Sequence, residues 1–387
     1  MARRPGVKKA KRTTAGKPRA RAPKRAAPRR AVKLAAKRPA TGKKATSSKR
    51  PAAANPLLIE VTRGEMVESR HRVAIAIVDA RGKTVESWGD IGRPIYARSA
   101  IKMLQALPLL ETGAADRYAL SDHEIALACA SHNGEVEHTD RVAGWLARIG
   151  LSPADLECGP QLPYDDATAL RLIANGGDAA PIFNNCSGKH SGFLTTARHR
   201  KEPTKGYIRA DHPVQQRVKR ALEAMGEIDL SRASSGIDGC GIPVIGIPLR
   251  AMALALARMA DPGRLPDERR AASARIVAAI GRAPAMLGGR GRFGTQVMQA
   301  TGGRMVLKGG AEGVYAAILP SLGLGVALKA DDGAGRAAET AMARLLVRLR
   351  LLSEAESRKL VDLLTPPVFN RAGLEVGRVR PAAGAGF

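Results

Sequence analysis

The pattern of apolar and polar positions predicts strands and a helix near the start of the folded part. An apolar run at Val73–Val78 is followed, across a turn that contains glycine, by Thr84–Trp88. Two such runs on either side of a glycine turn predict a β-hairpin. From Ser99 onward, apolar residues recur at helical spacing, so we expect a helix that Gly113 ends and that Pro108 kinks or shortens. Those apolar residues are Ile101, Leu104, Leu107 and Leu110.

The rest of the chain predicts helices in the middle and a second group of strands near the end. Residues 114–285 have mostly helical patterns, and residues 281–303, rich in glycine and basic residues, look like a loop or crossover. An amphipathic helix is predicted over Arg336–Leu352. It follows three β-like runs, at Met305–Leu307, Val314–Leu319 and Leu324–Leu328. We therefore expect a mixed α/β fold, in which 55–113 and 286–387 form a sheet domain and 114–285 a mainly helical insertion.

Charge separates the chain into a strongly basic tail and a mildly basic body. The 387 residues carry a net charge of +28, and residues 1–55 hold 20 of the 63 Lys and Arg residues but no acidic residue. Residues 1–54 have almost nothing to bury, so we expect them to be disordered. Two interpretations stay open, a solvated extension and a segment that makes non-specific, salt-dependent contact with nucleic acid.

Composition also bears on the compartment. No run of about 20 apolar residues exists, which argues against a membrane span. The charged start lacks an apolar segment, so we expect no secretory signal. Four cysteines in 387 residues do not suggest a disulfide framework and fit a reducing compartment. These features predict a cytoplasmic protein.

Three short motifs carry candidate chemistry. Ser99 and Lys102 form an S-x-x-K pair, a spacing that places hydroxyl and amine on one face of a helix, where a desolvated lysine can act as base. By itself the motif is common enough that a solvated helix face is the simpler interpretation. Ser131 begins an S-H-N triplet and Lys308 a K-G-G triplet, which keeps the order S-x-x-K, S-D-N, K-T-G of serine β-lactamases and penicillin-binding proteins. In this interpretation Lys308 holds Ser131, whose hydroxyl relays a proton to the leaving group.

Cysteines and histidines give a weaker signal. Cys186 and Cys240 lie in separate glycine-flanked loops, and two thiols from two loops could bind zinc. Spacing alone favours two unconnected cysteines, because no C-x-x-C pair is present. We expect Cys129 and Cys158 to pack as small apolar residues. The histidines of residues 123–138 form no H-E-x-x-H pattern and are expected to be solvated or locally hydrogen-bonded.

In combination, these blocks resemble the Rhizobium-etli-type L-asparaginases, the asparaginase family distinct from the enzymes that use two threonines. The similarity runs from about residue 56 to residue 380. It implies a serine-β-lactamase-like and glutaminase-like fold, usually a homodimer, that hydrolyses L-asparagine to L-aspartate and ammonia. The blocks are Leu58–Ser69, Arg98–Lys102, Cys129–Glu135, Asn184–Gly192, Asp238–Gly241 and Lys308–Gly313.

The resemblance also implies roles for individual residues. Ser99 with Lys102, and Ser131 with Lys308, match two Ser-Lys tandems of the family. It reverses the spacing-based interpretation of the cysteines and implies a zinc site. The residues that match its zinc ligands are Cys186, Lys189 and Cys240, and those that match the substrate pocket are Arg98, His190 and Asp238. The basic tail has no counterpart in the family.

The sequence-based mechanism assigns Ser99 as the preferred nucleophile, which loses its proton to Lys102. Ser131 and Lys308 then pass a proton to the departing ammonia. A guanidinium suits a carboxylate, so Arg98 is assigned to the substrate carboxylate. The second charge of the substrate, an ammonium, is assigned to Asp238.

Three alternative functions stay open at this point. A glutaminase-type amidase would use the same groups on a longer substrate. A β-lactamase or penicillin-binding protein acts on substrates outside the cytoplasm. The sequence predicts no export signal, which argues against this alternative. A nucleoid-associated protein would depend on the basic tail alone.

Overall fold

The computed structural model describes residues 54–386, which belong to one compact unit. The expectation of disorder for residues 1–54 falls almost entirely outside this range. Strands and helices are numbered in chain order. The strands are β1 (Leu57–Arg63), β2 (Met66–Asp79), β3 (Thr84–Trp88), β4 (Pro94–Tyr96), β5 (Ser235–Ile237), β6 (Pro243–Pro248), β7 (Val306–Gly310), β8 (Val314–Leu319), β9 (Leu324–Ala330), β10 (Pro367–Phe369) and β11 (Glu375–Pro381).

Helices fill the middle of the chain and also separate β9 from β10. They are α1 (Lys102–Gln105), α2 (Leu107–Glu111), α3 (Ala114–Arg117), α4 (Asp122–Ala128), α5 (Val136–Arg148), α6 (Asp166–Ala174), α7 (Ser187–His199), α8 (Pro213–Gly226), α9 (Leu249–Ala260), α10 (Asp267–Arg282), α11 (Pro284–Gly288), α12 (Phe293–Ala300), α13 (Gly335–Arg348), α14 (Glu354–Lys359) and α15 (Val361–Leu364). A 3₁₀ helix, Arg98–Ile101, precedes α1. The expected mixed α/β class is confirmed.

An eight-stranded sheet contains strands from both ends of the described part of the chain. Its order is β10-β11-β1-β2-β9-β8-β7, with β3 paired to β2, and β4, β6 and β5 form a separate three-stranded sheet. The large sheet is antiparallel throughout. The predicted hairpin is confirmed as β2 and β3, with Ile75 opposite Trp88. Strand β7 therefore lies at one edge of the sheet.

The large sheet is covered on both faces, which explains the continuous apolar run of β2. Val73, Ile75 and Val78 are fully buried although successive side chains of a strand point to opposite faces. Helix α9 presses against β9, where a Cβ on Gly325 would lie 2.1 Å from the carbonyl oxygen of Ala253. Because α9 belongs to the segment predicted as an insertion, the division into two domains stays a prediction.

Two local predictions differ from the structure. The helix expected from Ser99 to Gly113 is broken into the 3₁₀ helix, α1 and α2, with Pro108 in the first turn of α2, where its missing N–H costs nothing. The prediction of a loop or crossover over 281–303 was wrong, since α11 and α12 occupy most of this segment. Its glycines are concentrated in a short link, where Gly289 and Gly291 have positive φ angles.

Between residues 54 and 386 no helix combines the length and the apolar character that a membrane span requires.

Candidate active site

Four elements from distant parts of the chain bring the predicted Ser and Lys residues together. Ser99 lies in the 3₁₀ helix and Lys102 begins α1, whereas Lys308 lies in the edge strand β7. Ser131 follows the end of α4, and its backbone N–H donates to the carbonyl oxygen of Leu287 at 3.0 Å. Both serines line one cavity. The three sequence motifs therefore converge on a single space.

Ser131 lies between the two lysine amines. Its Oγ is 3.0 Å from Nζ of Lys102 and 2.9 Å from Nζ of Lys308. Lys102 also donates to the carbonyl oxygen of Ala130 and contacts Sγ of Cys186 at 3.1 Å. The Ser131–Lys308 contact is as expected from the motifs.

The expected Ser99–Lys102 contact is absent. Lys102 is fully buried and its amine points toward Ser131, whereas Ser99 stays half-buried at the cavity wall. Within residues 54–386 the hydroxyl of Ser99 has no hydrogen-bond partner. The structure therefore pairs Lys102 with the other serine.

Burial changes the proton affinity of both amines. It lowers the pKa of Lys102, and it lowers the pKa of Lys308 well below its usual value, helped by repulsion from Lys102. A desolvated ammonium loses its proton more readily, because burial disfavours the charged form. Each amine is therefore closer to the neutral form that a base requires.

The two predicted substrate-binding residues of opposite charge form an ion pair at the cavity wall. Nε of Arg98 donates to Oδ1 of Asp238 at 2.9 Å. Burial alone would raise the pKa of Asp238, but the N–H of Gly239 and the charges of Lys189 and Arg98 outweigh it and lower the pKa. Arg98 has a φ of +50°, a strained conformation for a non-glycine residue that often marks functional sites.

His190 does not line the cavity, contrary to the expectation from the resemblance. It is fully buried in α7, and its Nδ1 lies 2.7 Å from the hydroxyl of Tyr207. That hydroxyl also accepts the backbone N–H of Glu157 at 2.8 Å, which leaves its own proton available to donate to Nδ1. Burial lowers the pKa of His190 well below its usual value, which keeps the ring neutral. The structure places His190 behind the cavity wall.

Cys186, Lys189 and Cys240 meet beside the cavity, as the resemblance implied. Nζ of Lys189 lies 3.0 Å from Sγ of Cys240, and a hydrogen bond from Cys240 lowers the pKa of Cys186. Among residues 54–386, no three His, Cys, Asp or Glu residues are close enough to hold a metal ion. This cluster has two such residues and an amine, a donor set that suits zinc when the lysine is deprotonated.

The other cysteines and one histidine behave as predicted. Cys129 and Cys158 are buried within the core. Nε2 of His132 lies 2.9 Å from Oγ of Ser187, and Nδ1 accepts the N–H of Gly134. His132 is thus locally hydrogen-bonded and outside the cavity lining.

The cavity contains residues that the sequence did not single out. It has a volume of about 570 Å³. The guanidinium of Arg292 stacks over the ring of Tyr164 at 5.4 Å, and its Nε donates to Oδ1 of Asn133 at 2.6 Å. The asparagine of the S-H-N triplet therefore positions a basic side chain. The sequence showed that this asparagine belongs to a motif but not which residue it contacts. Further lining residues to which the sequence assigned no role are Gln161, Asn185, Tyr315 and Glu339.

Comparison with known families decides the classification. The model of the family described as L-asparaginase II matches residues 59–381. The chain belongs to the L-asparaginase II family. Family membership makes the protein a hydrolase and implies a small-molecule substrate. No curated protein matches the chain by sequence.

Several solved structures are similar to the chain at low identity. A candidate β-lactamase from Bacteroides dorei is 14% identical, with 67% of this chain and 84% of that chain covered and a TM-score of 0.36. For a β-lactamase from Mycobacterium bovis the values are 12%, 76%, 95% and 0.35. For a D-alanine carboxypeptidase from Burkholderia cenocepacia they are 14%, 67%, 88% and 0.32.

Proposed function

We propose that the protein hydrolyses the side-chain amide of L-asparagine to L-aspartate and ammonia by serine-lysine catalysis. The observation that carries this proposal is Ser131, whose hydroxyl faces the cavity with a lysine amine at 3.0 Å and another at 2.9 Å. A nucleophile within hydrogen-bond distance of its base is the arrangement that covalent catalysis requires. Membership of the L-asparaginase II family supplies the substrate class.

The proposed reaction proceeds through an acyl-enzyme. Ser131 attacks the carboxamide carbon while its proton passes to the neutral amine of Lys308. The tetrahedral intermediate collapses, the C–N bond breaks, and the nitrogen takes a proton from a lysine and leaves as ammonia. Water then hydrolyses the ester by the reverse route. This assignment replaces Ser99 as the preferred nucleophile, because Ser99 has no base within hydrogen-bond distance in the described structure.

The ion pair of Arg98 and Asp238 is proposed to hold the two charges of the amino acid. Arg98 would bind the substrate carboxylate and Asp238 the ammonium, so that each keeps a partner of opposite charge when substrate enters. Arg98, whose backbone has a positive φ, lines the cavity next to Ser99. Ser99, which lines the same cavity, would contact the substrate without acting as the nucleophile.

We also propose that zinc binds to Cys186, Lys189 and Cys240. When bound, zinc would neutralise the thiolates and fix the two loops that form this part of the cavity wall. Metal content per chain, measured after purification, should fall in Cys240→Ser and stay unchanged in the control Cys158→Ser. Equal metal content in both variants would contradict the site.

Ammonia release from L-asparagine tests the proposed function. The full-length protein should release ammonia from L-asparagine faster than from L-glutamine, with L-aspartate as the second product. Glu268→Gln, on the exposed face of α10, serves as a surface control that should match the wild type. Absence of ammonia release from L-asparagine by protein that is folded and loaded with zinc would refute the proposal.

A further inference from the structure

The cavity continues around the edge of the large sheet. Lys308 and Gly309 are neighbours in β7, so they face opposite sides of the sheet. Gly309 pairs with Tyr315, and Tyr315 pairs with Leu328, so these three share the face opposite Lys308. Both Lys308 and Tyr315 line the cavity. The space that contains Ser131 therefore extends past the edge strand to the other face.

The part of the cavity on the other face is named the far compartment. It is lined by Leu307, Tyr315, Gly335, Ala338 and Glu339. The last three lie on α13 at positions i, i+3 and i+4, which form one face of a helix. Two of them are small and leave space, and the third is a carboxylate. The far compartment thus has one charged group.

Glu339 has no hydrogen-bonded partner in the described structure. Its carboxylate makes no hydrogen bond or ion pair with any residue from 54 to 386. Burial raises its pKa, and the positive charge of Arg292 opposes that rise only in part. A partly buried carboxylate without a hydrogen bond is stabilised by a cationic ligand, and the terminal ammonium of a substrate is such a group.

The size of the cavity points to a ligand larger than one amino acid. A volume of about 570 Å³ lies in the range that holds drug-sized ligands. Ser131, Glu339 and the edge-strand residues Gly309 and Gly310 all line this one cavity. A ligand that extends from Ser131 toward Glu339 would therefore stay within it.

We propose that the far compartment binds the nitrogen substituent of larger carboxamide substrates, with Glu339 contacting a terminal ammonium. The substrate class is aspartate side-chain amides whose nitrogen carries an aminoalkyl chain. The same C–N bond breaks, a diamine leaves in place of ammonia, and water completes the hydrolysis. This inference rests on the proposed function and adds the specificity of the leaving-group side.

The test compares two L-asparagine derivatives that are substituted on the side-chain amide nitrogen and differ in one charge. One carries a 4-aminobutyl chain on the amide nitrogen, and the other a pentyl chain of the same length. The wild type should hydrolyse the aminobutyl amide with a kcat/KM about tenfold higher, as expected for a charge-assisted hydrogen bond. In Glu339→Gln the ratio of the two kcat/KM values should fall to about one, and in Glu268→Gln it should stay about tenfold. A ratio near one in the wild type, or an unchanged ratio in Glu339→Gln, would overturn the inference.

A binding measurement separates this inference from the proposed function. If L-asparagine is not hydrolysed, the proposed function fails, and the far compartment is then tested by calorimetry with both amides on the Ser131→Ala protein. Tighter binding of the aminobutyl amide, lost in Ser131→Ala/Glu339→Gln, would support the compartment. Equal affinity of the two amides would overturn it.

Discussion

At the residue scale, the chemistry depends on two amines that burial deprives of water. Lys102 and Lys308 both contact one hydroxyl, and no carboxylate hydrogen-bonds either amine within residues 54–386. A lysine paired with a carboxylate would stay charged, and a solvated one would keep its ordinary pKa. Placing the amines behind Ser131 gives a base without a histidine.

Removing either member of the Ser131–Lys308 pair should abolish most of the activity. Ser131→Ala and Lys308→Met should each lower kcat for L-asparagine by about 10²-fold or more, since proton transfer and the nucleophile act as a unit. Steady-state ammonia release measures the loss, and circular dichroism verifies folding. Ser321→Ala, an exposed serine of the turn before β9, should behave as the wild type. Near-normal turnover in Ser131→Ala would exclude this serine from the mechanism.

The lowered pKa of Lys308 makes a prediction about pH. The neutral amine exists above its pKa, so activity should rise with pH, reach its plateau well below the ordinary lysine pKa of about 10.4, and fall as acid protonates the amine. The profile of kcat/KM against pH measures this. A profile that rises only near the ordinary lysine value would mean that burial does not create the base.

At the element scale, the site depends on close contact between helices that carry its residues. Helix α7 holds Lys189, and its first turn lies directly against the end of α4, from which the Ser131 loop departs. Gly188 makes this possible, because a Cβ there would lie 2.4 Å from the carbonyl oxygen of Leu127. The first turn of α7 and the end of α4 can therefore come this close only if position 188 lacks a side chain.

Two helical glycines should respond to alanine in opposite directions. Gly188→Ala should lower the free energy of unfolding by about 1–3 kcal/mol, because backbone atoms must move to relieve the clash. Gly144→Ala, in α5, meets no atom within 4 Å and should raise it by up to about 1 kcal/mol through helix propensity. Urea unfolding of both variants measures the difference. A Gly188→Ala protein as stable as the wild type would argue against the close contact.

The elements also show what the sequence could and could not predict. The β2–β3 hairpin and the order of the three motifs were predictable, because hydrophobic period and motif spacing are local signals. The pairing of Lys102 with Ser131 was not, since it depends on how the 3₁₀ helix that leads into α1 and the loop after α4 orient two side chains. Glu339 and Arg292 were missed because they lie far from every motif, and only the fold brings them to the cavity.

At the whole-molecule scale, the folded unit includes a residue that precedes the first strand. Asn55 is buried; its Nδ2 donates to Asp331 at 2.9 Å and its Oδ1 accepts the N–H of Asp90 at 2.7 Å. It therefore joins the segment before β1 to the loop after β9. The sequence-based tail boundary at residue 54 leaves this contact intact. A homodimer and nucleic-acid contact through the tail remain proposals.

Truncation should separate the tail from the enzyme. A chain of residues 55–387 should keep the thermal stability and kcat/KM of the full-length protein and lose retention on DNA at low salt, which charge neutralisation governs. Asn55→Ala in the full-length chain should lower the free energy of unfolding by about 1–3 kcal/mol, because it leaves buried polar groups without a hydrogen-bond partner. Calorimetry and a DNA column at low and moderate salt measure these effects. Equal DNA retention of both lengths would assign nucleic-acid contact, if any, to the folded unit.

The most direct test of the central claim is to map the covalent intermediate. Full-length protein turning over L-asparagine is quenched in acid, digested and analysed by mass spectrometry for an aspartyl ester. The account predicts the ester on the peptide that contains Ser131, and none in Ser131→Ala. An ester on Ser99, or continued turnover by Ser131→Ala, would contradict it.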